Sequence, residues 1–145
     1  MSLTHVSDHF SWQEFDCHSG EEMPDAVKPS IRRLCVEVLE LIRKEWSSPI
    51  IIVSGWRSEE YNKRIGGAGQ SRHVTGEAAD IRPVSLEQLQ FFRSTVERMI
   101  KDGRLAALGG YGVYRGWLHV DVRMRKPNGM IARWEGRGVG SEQNV

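Results

Sequence analysis

Three short segments hold the side chains best suited to chemistry. In Ser71-Arg72-His73-Val74-Thr75-Gly76-Glu77-Ala78-Ala79-Asp80 a histidine and an aspartate stand seven residues apart around a glycine and small residues. Imidazole nitrogen and carboxylate oxygen both bind zinc well. Gly76, Ala78 and Ala79 leave the backbone room to pack closely while two ligands converge. Asp80 sits in an apolar Ala-Ala-Asp-Ile setting, where a charge needs a partner. A metal supplies one; so does an arginine, and His73 is then an ordinary loop residue. The second segment is Trp117-Leu118-His119-Val120-Asp121-Val122-Arg123-Met124. Strand side chains alternate in direction, so Leu118, Val120, Val122 and Met124 suit a core, while Trp117, His119, Asp121 and Arg123 share the other face. That face serves a groove or is simply solvated. The third segment is Val53-Ser54-Gly55-Trp56-Arg57-Ser58. The planar fork of Arg57 suits a substrate carboxylate or an oxyanion, or alternatively a surface pair with Glu59 or Glu60.

These segments need elements to position them. His9 to Phe15 reads as a short helix or turn, with Ser11 and Glu14 spaced as a capping box. From Pro29 to Trp46 the pattern is helical, with Ile31, Leu34, Cys35, Val38, Leu41 and Ile42 on one apolar face. Pro49 to Val53 is a β-branched run that reads as a buried strand. Ser58 caps a short helix to Arg64, Gly66 to Gly69 is a loop, and Glu77 to Arg82 is a second strand. A helix beginning at Ser85 closes at Gly103. A hairpin comes next, with arms Leu105 to Tyr114 and Trp117 to Met124 about an Arg115-Gly116 turn. The tail at 126–145 is rich in glycine and polar residues and is expected to be loosely held. The whole predicts a single α+β domain over residues 1–145, core about 9–125, with helices packed on a small, mainly antiparallel sheet.

At 145 residues the chain suits one domain. With 39% hydrophobic and 27% charged residues it has the profile of a globular domain, not a disordered one. No apolar run approaches the roughly 18 residues of a membrane span. Twenty basic against nineteen acidic residues leave +1, which gives no basic excess for nucleic acid. Two cysteines exclude a disulfide-dense scaffold and a four-cysteine zinc site. His18 beside Cys17 has no matching partner segment and reads as a surface histidine. The start carries no signal-peptide pattern, so synthesis in the cytoplasm and a monomeric state are expected.

Taken together, the segments resemble the zinc-dependent D-alanyl-D-alanine carboxypeptidases and related peptidoglycan endopeptidases, in particular their small single-domain bacterial and phage branch. The likeness rests on Ser54 to Ser58, Ser71 to Asp80, His119 to Asp121 and the opening His9 to Phe15, and runs from about His9 to Arg123. It implies the fold of hedgehog and D,D-peptidase domains. It implies zinc ligands at His73, Asp80 and His119, leaving a fourth position for a water whose pKa falls towards ~7. Arg57 matches an arginine near the substrate carbonyl or carboxylate, and Ser71 a serine that hydrogen-bonds in the cleft. Trp56, Trp117 and Tyr111 are candidates for the cleft lining, and the loop Gly66 to Gly69 for adapting to substrate. The expected substrate is the peptide stem of peptidoglycan, reached at the cell wall by phage-type release or another route.

One departure stands out. Many relatives carry a glutamate, the general base, three residues before the last histidine ligand; here that position is Gly116. Asp121, two residues after His119 and roughly 7 Å along the strand, is the candidate base, with a role in orienting a ligand as the alternative. The rival functions are a zinc-binding or wall-binding module that has lost hydrolysis, and a phage tail component on the same fold.

Overall fold

The computed structural model describes residues 4–136. Its centre is a five-stranded sheet in the order β3-β4-β6-β5-β7. The strands are β3 (Ile50–Ser54), β4 (Ala78–Pro83), β5 (Gly110–Val113), β6 (Leu118–Asp121) and β7 (Ala132–Glu135). All neighbours are antiparallel except β5 and β7, which are parallel. Two short strands, β1 (His5–Ser7) and β2 (Phe10–Ser11), form a separate ribbon. The architecture is α+β, as expected, though the sheet is mixed.

The longer helices lie on one face of this sheet. α1 (Lys28–Leu34), a π-helical turn (Cys35–Leu39) and α2 (Glu40–Trp46) make one continuous rod. α3 (Glu59–Arg64) is short, and α4 (Leu89–Lys101) packs beside α2, with Trp46 edge-on to Phe92 at 5.2 Å. Ala79, Ile81, Tyr111, Leu118 and Val120 from the sheet meet Ile31, Leu34, Leu39, Ile42, Phe92 and Val96 in the core. Burying such side chains is the main stabilising term, at about 1.5–3 kcal/mol each.

Three expectations need correction. The rod is not a plain α-helix: the Glu40 N–H donates to the Cys35 carbonyl, five residues back. That wider turn inserts a residue and rotates the C-terminal half of the rod by about 100°. Leu39 is therefore fully buried, while Leu41, expected in the core, is 40% exposed. The tail is not loose over residues 126–136: the Ala132 N–H donates to the Gly109 carbonyl, and β7 pairs along β5. Residues 137–145 lie outside the described residues. The hairpin strands are shorter than expected, four residues each, closed by Tyr114 N–H donating to the Trp117 carbonyl.

Candidate metal centre

The sheet register lines up Ser54, Asp80, His119, Gly112 and Trp134 in one row across all five strands. A neighbouring row holds Ala78, Asp121, Gly110 and Ala132. Both rows stand on the face away from the helices, because Ala79, Ile81, Leu118 and Val120 fill the other. The second row owes its crowding to small residues. A Cβ at Gly110 would collide with the Asp121 carboxylate, so glycine is required there for close approach.

His73 reaches this face from the loop before β4. The Arg57 N–H donates to its carbonyl at 3.1 Å, and the Trp56 indole donates to the Val74 carbonyl at 3.1 Å. Gly76, at φ +80°, lets the loop turn back against α1. The His73 Nδ1–H donates to the Gly55 carbonyl at 2.8 Å. A carbonyl only accepts, so Nδ1 carries the proton and Nε2 of the neutral ring is a lone pair. That Nε2 is buried, 3.3 Å from Asp80 Oδ1, with no hydrogen-bond partner among the described residues.

His119 comes to the same oxygen from β6. Its Nδ1 lies 3.2 Å from Asp80 Oδ1, while its Nε2 lies 2.7 Å from Asp121 Oδ2. Ligand atoms of His73, Asp80 and His119 all lie within 4.8 Å of one another, and all three residues are buried. Two imidazoles and one carboxylate converging on one point, one donor being an orphaned buried nitrogen, fit a zinc ion with an open position. A cavity of about 490 Å³ borders Asp80 and is also lined by Arg57, Tyr61, Trp117 and His18.

Electrostatics agree with a cation site. Burial alone would raise the Asp80 pKa, but His73 and His119 beside it hold it well below the carboxylate range. Burial pushes the His73 pKa down, against the pull of Asp80. Burial would also lower His119, yet its contacts with Asp121 and Asp80 raise it. Asp80 Oδ2 accepts from Arg57 Nη2 at 3.3 Å. Arg57 is buried as well, its Nε donating to Ser54 Oγ at 3.2 Å and its Nη1 to Asn62 Oδ1 at 3.1 Å. The arginine and metal readings of Asp80 thus hold together: one oxygen meets Arg57, the other faces both histidines.

The remaining candidates divide. Ser71 Oγ accepts from the His73 N–H at 3.2 Å and borders a second cavity, of about 590 Å³, with residues of the Gly67–Arg72 loop. Trp117 stands on the site face and stacks on Tyr114 at 5.3 Å; its buried Nε1 has no hydrogen-bond partner among the described residues. Trp56 does not line a cleft: it is 5% exposed and packed in the core, where it pins the His73 loop. Tyr111 does not either. It pairs with Val120, so its side chain points to the helices and its hydroxyl donates to Glu97 Oε2 at 2.9 Å.

Asp121 departs from the expectation of a free base. It is fully buried, and Arg123 Nε donates to its Oδ1 at 2.9 Å and Nη2 to its Oδ2 at 2.7 Å. The Arg123 N–H donates to Oδ1 at 3.0 Å, and Oδ2 also takes the His119 Nε2–H. With both oxygens engaged, its geometry is that of a carboxylate orienting a histidine ligand. Burial would raise its pKa, but His119 and Arg123 hold it well below the usual range. Arg123, Tyr114 and Trp134 also surround the site; sequence reasoning gave Arg123 no role of its own and missed the other two. Only Arg123 left a signal, by sharing the strand face of His119 and Asp121. His18 is exposed, in keeping with a surface histidine, and borders the cavity, edge-on to Tyr61 at 6.3 Å.

A family model described as Peptidase M15 matches residues 8–121. That span contains all three converging ligands and Arg57. No curated protein matches the chain. The matched length and the converging residues lead to one assignment: the chain belongs to the peptidase M15 family of zinc-dependent D-Ala-D-Ala carboxypeptidases.

Proposed function

We propose that the protein hydrolyses an amide bond in the peptide stem of peptidoglycan, with zinc held by His73 Nε2, Asp80 Oδ1 and His119 Nδ1. The observation that carries this reading is the buried, unpartnered His73 Nε2 aimed at the oxygen that His119 also approaches. Zinc held there supplies a water acidic enough to attack and a Lewis acid for the scissile carbonyl. The chain's own groups do the rest. Asp121 takes the His119 Nε2–H and so keeps Nδ1 turned to the metal position. Arg57, charged and buried at the cavity wall, faces a substrate carboxylate or the oxyanion. Trp117 contributes a wall to the same space. Ser71 shapes the loop that carries His73. The enzyme acts at the cell wall, reached by phage-type release or another route.

One observation favours a second reading, a zinc-dependent wall-binding module without turnover. Gly116 leaves the usual position of the base without a side chain, and Asp121 is engaged elsewhere. The deciding experiment is mass spectrometry of peptidoglycan fragments incubated with the protein. New fragments that vanish with chelator and return with zinc are expected, and their masses identify the bond cut. Absence of new fragments from zinc-loaded, folded protein across several stem chemistries would reject hydrolysis in favour of the binding module.

A further inference from the structure

We infer that Trp134, on the last strand and beyond the residues that match the family, is a positioning residue of the metal centre. Its place is set by register: it shares the cross-strand row of Asp80 and His119, separated from His119 only by Gly112. Gly112 has no side chain to fill the gap, and a Cβ there would collide with the Trp134 Nε1. The indole therefore lies across β5 and meets the His119 ring at 5.1 Å, tilted by 51°.

Three contacts fix the indole. Its Nε1–H donates to the Tyr114 hydroxyl at 2.7 Å, and Tyr114 is itself stacked on Trp117. Its ring face carries the Arg123 guanidinium at 5.1 Å. Arg123 in turn grips Asp121 through Nε and Nη2, and Asp121 accepts from His119 Nε2. The ring thus touches both ends of the chain Arg123–Asp121–His119. For His119 to swing its Nδ1 away from Asp80, it must push aside the indole or break from Asp121. Trp134 acts through these residues and need not touch the substrate. The inference rests on the zinc reading of His73, Asp80 and His119, and not on which bond is cut.

The test measures metal binding on the full chain. Zinc affinity is read by competition with a chromophoric chelator, and ligand geometry from the visible spectrum of the Co²⁺-substituted protein. Trp134→Ala is expected to weaken zinc about 10-fold, the scale on which partners of metal ligands act, and to change the cobalt spectrum. Trp134→Phe keeps an aromatic face for Arg123 and His119 and should recover most of the affinity. Arg123→Met attacks the same chain from its other end without altering the strand-β7 residue. Because the two side chains act as one unit, the double variant should lose less than the product of the single losses.

Wild-type affinity and an unchanged cobalt spectrum in Trp134→Ala would overturn the proposal; so would losses that simply multiply. If Trp134→Ala does not fold, Arg123→Met and Trp134→Phe decide it: near-wild-type affinity in Arg123→Met, or a loss in Trp134→Phe as large as that in Arg123→Met, overturns it. Zinc uptake by wild-type protein that cleaves no stem peptide would sink the hydrolytic function and leave this inference standing. Failure of the wild-type protein to take up zinc would sink both.

Discussion

Gly116 is the residue on which the chemistry turns. A side chain there is sterically free: a Cβ would meet nothing within 4 Å, and the backbone is not in the left-handed region. Gly116→Glu therefore introduces a carboxylate, without a clash, at the position where the resemblance implies a base. General base catalysis is worth about 10²–10⁴ in rate. For a peptidase working without that base, Gly116→Glu should raise kcat at least about 10-fold on stem peptides, with zinc affinity unchanged. Steady-state kinetics beside a chelator competition checks both; a kcat that stays flat or falls would mean that proton transfer is already served by another group. The convergence of Asp80 and His119 was legible because residue type and strand alternation agree: the two are direct cross-strand partners. Tyr111 was misread because parity within a strand says nothing until the register is known. Trp56 was misread because an aromatic next to a functional arginine can equally be a core anchor.

The π-helical turn does for the N-terminal ribbon what no single residue type announces. It brings Glu40 round to β1 and β2, where it accepts from Ser7 Oγ at 2.6 Å and from the His9 N–H at 2.7 Å. His9 Nδ1 lies 2.6 Å from its other oxygen. Burial works to raise the Glu40 pKa, but the bonds from Ser7 and His9 outweigh it and bring it below the ordinary glutamate value. A depressed carboxylate pKa contributes stability that is complete above the unfolded value of about 4.3 and is lost as pH falls through the folded one. Glu40→Gln should thus lower stability by about 1 kcal/mol at pH 7, and the gap to wild type should close below about pH 4. Thermal melts of both proteins from pH 7 to pH 3 read this out. A gap that stays constant over that range would mean that shape, not charge, holds the ribbon. The turn was not legible because the sequence of a π-bulge is that of a helix; only the misplaced Leu41 betrays it. β7 escaped for another reason. Its pairing with β5 is parallel and long-range, and Ala132 to Glu135 has no apolar run of its own.

On the scale of the whole molecule, sheet and helices divide the labour. One face of the sheet is sealed by α1, α2 and α4 and supplies the core. The other gathers His73, Asp80, His119, Asp121 and Arg57, five buried groups whose charges and lone pairs are packed within a few ångströms. Burying ionisable groups opposes folding unless each finds a partner. Arg57 and Arg123 partner the two aspartates, but the His73 lone pair stays orphaned in the free protein. A cation that satisfies it binds the folded chain and not the unfolded one, so zinc must raise stability by RT ln(1 + [Zn]/Kd), about 2.7 kcal/mol at a hundredfold excess over Kd. For a chain of this length that corresponds to a rise in Tm of about 5–11 °C. The rise should appear on adding zinc to chelator-treated protein, reverse with chelator, and be absent in His73→Ala. The sign separates specific from adventitious binding: zinc held by surface carboxylates or by Cys17 and His18 would shift His73→Ala as much as wild type. An equal shift in both proteins, or none in wild type, would remove the metal from this site and with it the peptidase chemistry assigned to the face.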